Sequence, residues 1–440
     1  MRRNTVHHAK GQRRTIGRRL AQAAAIAAAS AMALTACGGG GEADSGDDGK
    51  IELRFSWWGA DARHQSTLEI IDAFEAENPG IEIKPEYGDW GGYWDKLATQ
   101  VASRDAPDII QMDDKYLREY GDRGALLDLE GVDVSKFDEG TIENGTTEDG
   151  LLGITTGINA MVLMTNPEIF DEAGVELPDD ETWTWDDYAE ITKEITENSD
   201  GKYGATGPNE PAGLQIWARQ AGKHLIGDDG ALGVDEADIE DYFQHHLDLM
   251  ENGSYPGASI IAEDQSPGPD QSLTGTGVAA MGMWWTNQLT ALSSSAGVDL
   301  VPLRMPSHTG DSSDSGLWYK SSMLMSGYSQ TEHPEEVKTF IDFFVNSQEA
   351  GELNLTDRGL PSNADVRESV VAQLDGQDAV SADFIADIED ELGATEPIPA
   401  MGFSELQDII YRYELEVFFG RQSPADAAKA ARAEMENAIG

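Results

Sequence analysis

Residues 51–113 contain, in order, IELRFSWW (51–58), STLEIIDAFEAENPG (66–80), IEIKPEY (81–87), YWDKLATQVASRD (93–105) and PDIIQMD (107–113). The first, third and fifth segments alternate or run apolar as strands do. The second carries Leu68, Ile71 and Phe74 at helical spacing and stops at Asn78-Pro79-Gly80; the fourth repeats the stripe through Trp94, Leu97 and Val101. This βαβαβ order predicts a mostly parallel sheet flanked by helices, with ligands bound beyond the carboxyl ends of the strands. Trp57, Trp58 and Asp113 fall at such ends. Because strand neighbours point to opposite faces, two adjacent indoles cannot both enter one core, and one of the pair is expected to face solvent or a ligand.

A second series follows. GLLGITTGINAMVLMTN (150–166) is strand-rich, TWTWDDYAEITKEIT (182–196) is a helix whose Thr184 and Asp187 fit a capping box, and GVAAMGMW (277–284) is a buried strand leading to Trp284-Trp285. Further helices are legible at HPEEVKTFIDFFVNS, FSELQDIIYRYELEVFFG and SPADAAKAARAEMENAI, and no internal repeat of the solenoid kind is present.

The N-terminus reads as an export signal over residues 1–36: basic residues from Arg2 to Arg19, then the apolar run LAQAAAIAAASAMAL, too short for a comfortable membrane span. Leu34-Thr35-Ala36-Cys37 resembles the lipobox of bacterial lipoproteins, in which the cysteine carries the lipid. Cys37 is the single cysteine of the chain, which excludes an intramolecular disulfide and a thiolate metal cluster. Residues 37–49 have no apolar side chain larger than alanine beyond that cysteine and read as a flexible tether. The remaining length suggests two domains.

The 440 residues carry a formal charge of −51; without the first 36, which hold seven Lys/Arg and no Asp/Glu, it is −58. Such a surface repels nucleic acid and anionic headgroups. His245-His246 would point about 100° apart on a helix and make a poor metal pair. ENSDGKYG lacks the spacing of a calcium loop, and phosphate loops and serine elbows are absent from the sequence. No metal or cofactor is indicated. A secreted glycoside hydrolase is the enzyme-class rival, since spacing alone does not eliminate a carboxylate pair among 81 acids.

In this order, FEAENPGIEIKPEY, YWDKLATQVASRDAPDIIQMD, GALLDL, GLLGITTGINAMVLMTNPEIFDEAGVELPDDETWTWDDYAEI, GVAAMGMWW and HPEEVKTFIDFFVNSQEAGELNLTDRGLPSN resemble the carbohydrate-binding type of extracellular solute-binding proteins, the receptors of ABC importers. The resemblance runs from about Ile51 to the C-terminus. It implies a two-lobe α/β fold of the periplasmic-binding-protein kind, with hinge strands and a ligand cleft between the lobes. Crossings are placed near Ile158 to Ala160, Trp318-Tyr319, and Asp357 to Leu360. The lobes are then residues 50–158 with 318–358 and 159–317 with 359–440. The implied function is a monomeric, non-enzymatic receptor, tethered outside the cell by lipidated Cys37, that captures an oligosaccharide and passes it to permease subunits.

A sugar ring offers apolar C–H faces and a belt of hydroxyls, so its receptor needs flat aromatics and planar polar groups. The motif WWGADARH supplies both in Trp57, Trp58, Asp61, Arg63 and His64, and Trp58, on the loop side, is the expected stacking residue. Trp284 and Trp285, followed by Asn287, repeat the device. Asp113 and Asn159 match cleft and hinge positions of the family, and Trp90 and Tyr93 lie in a Gly-rich turn able to cap an extended ligand. Trp217, Trp318 and Arg358 complete the candidates; in so acidic a chain, Arg358 is expected to pair with a carboxylate. The opening motif also resembles that of receptors for pectin-derived oligosaccharides.

Overall fold

The computed structural model describes residues 49–440 apart from 138, 209–211, 228–229, 266–267, 394–395, 397 and 400. The expected signal segment 1–36 and Cys37, with the tether up to Asp48, lie outside the described residues. Strands β1 (Ile51–Trp58), β2 (Ile81–Gly88) and β3 (Ile109–Met112) come first, and β1 pairs in parallel with both others. A hairpin of β4 (Thr146–Thr147) and β5 (Gly150–Leu151) precedes β6 (Ile154–Thr155), β7 (Gly157–Asn159) and β8 (Met161–Thr165). Then come β9 (Tyr203–Ala205), β10 (Ala279–Trp285), β11 (Val301–Leu303), β12 (Lys320–Ser321), β13 (Leu324–Gly327) and β14 (Leu360–Pro361).

Two main sheets result. The first has the order β2-β1-β3-β13-β6 and the second β11-β8-β10-β9. In each, all strands but one run the same way, so both are mostly parallel with a single antiparallel member. In the first, β13 runs antiparallel to both β3 and β6. In the second, β8 is antiparallel to β10 and β11. The reason is connectivity: β13 enters the first sheet on a return from the second lobe, opposite in direction to strands fed by βαβ crossovers.

Each face of the first sheet has its own core. Leu53, Phe55 and Trp57, alternate residues of β1, pack with Phe74, Phe340 and Phe344. Trp58, Ile110 and Met112 lie on the other face with Tyr93, Trp94 and Leu97. The helix Asp61–Glu77 turns Ile70, Ile71 and Phe74 inward; the helix Trp90–Ser103 ends where Arg104 takes a left-handed φ of 59°. A third cluster around β8 and β10 forms the second lobe. Its helix Trp185–Asn198 starts with a reciprocal cap, Asp187 N–H donating to Thr184 Oγ1 at 3.1 Å and Thr184 N–H to Asp187 Oδ2 at 2.9 Å.

Between the lobes, β12, β7 and β14 make a third small sheet, so the three segments named as crossings lie within or beside strands that pair with one another. Backbones touch there. A Cβ on Gly157 would stand 2.3 Å from the Arg358 carbonyl oxygen, and Gly359 adopts φ +81° against Ile158, so both positions require glycine. After β14, the helix Ala364–Val371 packs on helix Gln348–Asn354 of the first lobe, whereas Gly376–Asp387 packs on Leu289–Ala296 of the second. Val366 and Val370 fill the space above Gly351. Among the described residues, no helix is long and apolar enough to cross a membrane.

Candidate functional site

A cleft opens beside the crossover strands and, counted with the solvent at its mouth, holds about 870 Å³. Asp114, Lys115 and Asn144 line it from the first lobe, and Gln215, Leu225 and Ile226 from the second. Trp285, at the end of β10, and Trp318 to Ser321 form its floor near the crossover. Phe403, Leu406 and Gln407, at the start of the helix Ser404–Phe418, close a further side. The mixture of flat rings with a few polar groups suits a small organic ligand.

The floor is aromatic and charged. Trp285 and Trp318 meet edge to face with centroids 6.1 Å apart. The Lys320 ammonium lies 5.5 Å from the Trp285 centroid, 3.1 Å from Asp114 and 3.7 Å from Asp113. Burial pushes against ionisation of both carboxyls. For Asp113, Lys320 and Lys115 outweigh burial and hold the group below its ordinary value; for Asp114, burial and the charge of Asp113 win and push it up to about 6. Behind Trp318, the Arg219 guanidinium lies 5.1 Å from the ring centroid, donates to the Gly316 carbonyl at 2.8 Å and pairs with Glu396.

Of the residues singled out from sequence, Trp285 and Trp318 line this cleft, and Asp113 lies directly beside it. Asp113 caps the helix Asp114–Gly121 by accepting from the Lys115 backbone N–H at 3.2 Å. Trp57 is fully buried and Trp58 nearly so, in opposite cores. One core could not take both, but a sheet covered on both faces offers two, which corrects the inference that one must face solvent or ligand. Trp57 donates its indole N–H to His64 Nδ1 at 3.1 Å, and His64 lies over Tyr87 at 4.3 Å. That bond requires a neutral imidazole, and burial lowers the pKa of His64 accordingly. Tyr93 is buried, its hydroxyl 2.7 Å from the Gln111 carbonyl; half-buried Trp90 packs on Trp58 at 5.0 Å.

Asp61 is exposed in the first turn of its helix. Arg63 binds Asp357, Nε to Oδ2 at 2.6 Å, and Asn287 donates to the Asp357 carbonyl oxygen at 3.0 Å. Arg358 is buried, and its closest partners are neutral: Gln111 at 2.9 Å, Asn354 at 2.8 Å and Thr67 at 2.7 Å, with the Asp357 carboxylate at 3.8 Å. The carboxylate expected to take Arg358 is held more closely by Arg63. Asn159 is buried in β7, and its Oδ1 has no partner among the described residues. Trp217 packs against Trp185, His245 and His308 on the second lobe, and Trp284 donates to Thr274 Oγ1 at 3.0 Å. Sequence reasoning missed Asp114, Lys115 and Lys320. The first two directly follow the carboxyl end of β3, so the rule that selected Asp113 could have reached them; the wall from Phe403 to Gln407 carries no local signal.

A family model for a bacterial extracellular solute-binding protein matches residues 69–380, well over half of the chain, and the chain belongs to that family. A diacetylchitobiose-binding protein of Streptomyces coelicolor is 23% identical over 441 residues, covering 94% of this chain and 98% of that protein. An uncharacterized lipoprotein of Streptomyces antibioticus is 27% identical over 193 residues, 42% of this chain and 41% of the relative, so this chain spans less than half of it. Among solved structures, a periplasmic oligogalacturonide-binding protein of Yersinia enterocolitica, in complex with saturated digalacturonic acid, has a TM-score of 0.78 at 22% identity, covering 89% of this chain and all of the other. The fold is thus that of the two-lobe solute-binding proteins.

Proposed function

We propose that this solute-binding protein takes an oligosaccharide of two or more rings into the cleft and delivers it to the permease of an ABC importer. The observation that carries the reading is the pair Trp285 and Trp318 on the cleft floor, bordered by the Lys320 and Asp114 side chains. Half-buried Trp285 supplies a face for apolar C–H surfaces, with buried Trp318 bracing it edge to face, and the charged pair supplies donors and acceptors for a hydroxyl belt. The two relatives whose names mention a sugar support the same class. The two lobes, joined at β7, β12 and β14, would close on the ligand, with the second lobe resuming after Val371. Cys37 would hold the protein on the outer face of the membrane by a lipid.

A thermal-shift screen with xylo-, cello-, malto-, manno- and galacturono-oligosaccharides tests the ligand class. A ligand that binds the folded state alone raises the midpoint by mass action. A midpoint unmoved by every sugar at millimolar concentration would remove the reading. For the anchor, Cys37→Ser should release the protein from washed membranes into the medium with affinity intact; retention would remove the tether.

A further inference from the structure

Three other basic candidates are engaged elsewhere: Arg63 with Asp357, Arg358 with buried neutral oxygens and, at 3.8 Å, the Asp357 carboxylate, and His64 as the neutral acceptor of the Trp57 N–H. Within the cleft, Lys320 faces Asp114 and Asp113, and Glu396 is taken by Arg219. Lys115 differs. It is half-buried and lines the cleft, its ammonium stands 4.7 Å from the Trp90 centroid, and it donates to Gln407 Oε1 at 3.1 Å. Among the described residues, no carboxylate forms a salt bridge with it. Asp113 feels its charge, yet the hydrogen bond Asp113 accepts comes from the Lys115 backbone.

A protein with 81 acids and 30 bases has carboxylates to spare, and here a half-buried ammonium in the cleft wall stands without a salt-bridged one among the described residues. The Trp90 face and the Gln407 amide hold it at the wall, and of its three N–H donors only one is directed at Gln407. A carboxylate on C5 of a pyranose lies near the mean plane of the ring. A ring stacked on the cleft floor therefore projects that group sideways, toward the walls. The acidic exterior does not forbid this, because its field is screened over about 8 Å in physiological salt, whereas a contact inside the cleft is not.

We infer that Lys115 determines specificity by receiving the carboxylate of a uronic-acid ring, so that the ligand is an acidic oligosaccharide. This rests on the sugar reading above and narrows it. The test is calorimetric titration of the full chain with α-1,4-linked digalacturonate and with the corresponding neutral digalactose, for the wild type, Lys115→Met and Lys115→Arg. The wild type should prefer the acid by about tenfold or more, the range of one charge-assisted hydrogen bond. Lys115→Met should lose that preference, with affinity for the acid falling about tenfold more than affinity for the neutral sugar, while Lys115→Arg keeps the preference. Lys115→Gln replaces the methionine variant if melting curves show it unfolded.

A lysine that only braces Gln407 would weaken both sugars equally on substitution, and that result overturns the inference. So does a preference that survives Lys115→Met. Binding of the neutral sugar with rejection of the acid sinks the inference and leaves the sugar reading standing; failure of the wild type to bind any oligosaccharide of the screen sinks both.

Discussion

Trp57 and Trp58 end β1, and Trp284 and Trp285 end β10, so each main sheet presents a double tryptophan at a strand's carboxyl end. The first pair is buried, the second half-buried. The difference comes from what covers each strand. Phe55 and Tyr87 close over Trp57 on one face, while Trp90, Tyr93 and Trp94 enclose Trp58 on the other. At the end of β10 the second lobe stops covering its own sheet: Trp284 is held by Thr274 and Trp285 reaches the cleft. An identical dipeptide at an equivalent strand end is thus core or cleft lining according to what packs over it.

The largest effect should come from the buried pair. Trp57→Ala and Trp58→Ala should each cost about 3–5 kcal/mol of folding stability, as large-to-small core changes do. Calorimetric melting checks this, and an unmoved midpoint for either variant would break the contrast between the lobes.

The second lobe carries a burden of another kind. Glu414 is fully buried, its carboxyl oxygens lack charged partners among the described residues, and burial pushes its pKa from 4.5 up to about 8. Between those two values the folded state keeps a proton that the unfolded chain has lost, so stability should fall as pH rises from about 4.5 to 8. Glu414→Gln should flatten that fall by several degrees of melting temperature between pH 6 and pH 8.5. Parallel pH profiles for the two proteins would show that Glu414 is not the source.

A smaller effect separates the members of the half-buried pair. Trp285→Ala should weaken oligosaccharide binding by about 1–3 kcal/mol, roughly 5- to 150-fold, with little change in the melting of the free protein. Trp284→Ala should act mainly on stability. Titration and melting of both variants decide it, and equal affinity losses would erase the distinction. Smallest of all, Thr184→Ala removes a helix cap far from the aromatic floor and should cost about 1 kcal/mol with affinity unchanged. If that variant also binds more weakly in titration, stability and affinity are coupled in this lobe, and the Trp285 result needs a second readout.

Local pattern sufficed for β1 to β3, the intervening helices and the Thr184 cap, because spacing, Pro-Gly stops and capping act within a few residues. It did not suffice for Trp58, whose burial depends on Trp94 in a later helix, nor for the antiparallel insertion of β13 beside β3. The position of Lys115 was within reach of the strand-end rule, but its surroundings were not, for a related reason. Its contact with Gln407 spans 292 positions, and the lack of a carboxylate partner becomes visible only when all neighbours are in place. Charged residues far apart in sequence are indistinguishable until the fold decides which of them are paired.

The place of β13 in the first sheet also sets an order of assembly. The second sheet has all its strands once Leu303 has been made, and its four strands come from one uninterrupted stretch, 161–303. The first sheet has to wait for Leu324–Gly327, because β13 sits between β3 and β6 and without it β6 has nothing to pair with. Contacts of such long sequence separation form slowly, since the loop between them must close before they are rewarded. A chain made from its N-terminus onward therefore completes the sheet of its middle before that of its beginning, and during that interval the apolar edge of β3 is the segment most in need of a chaperone.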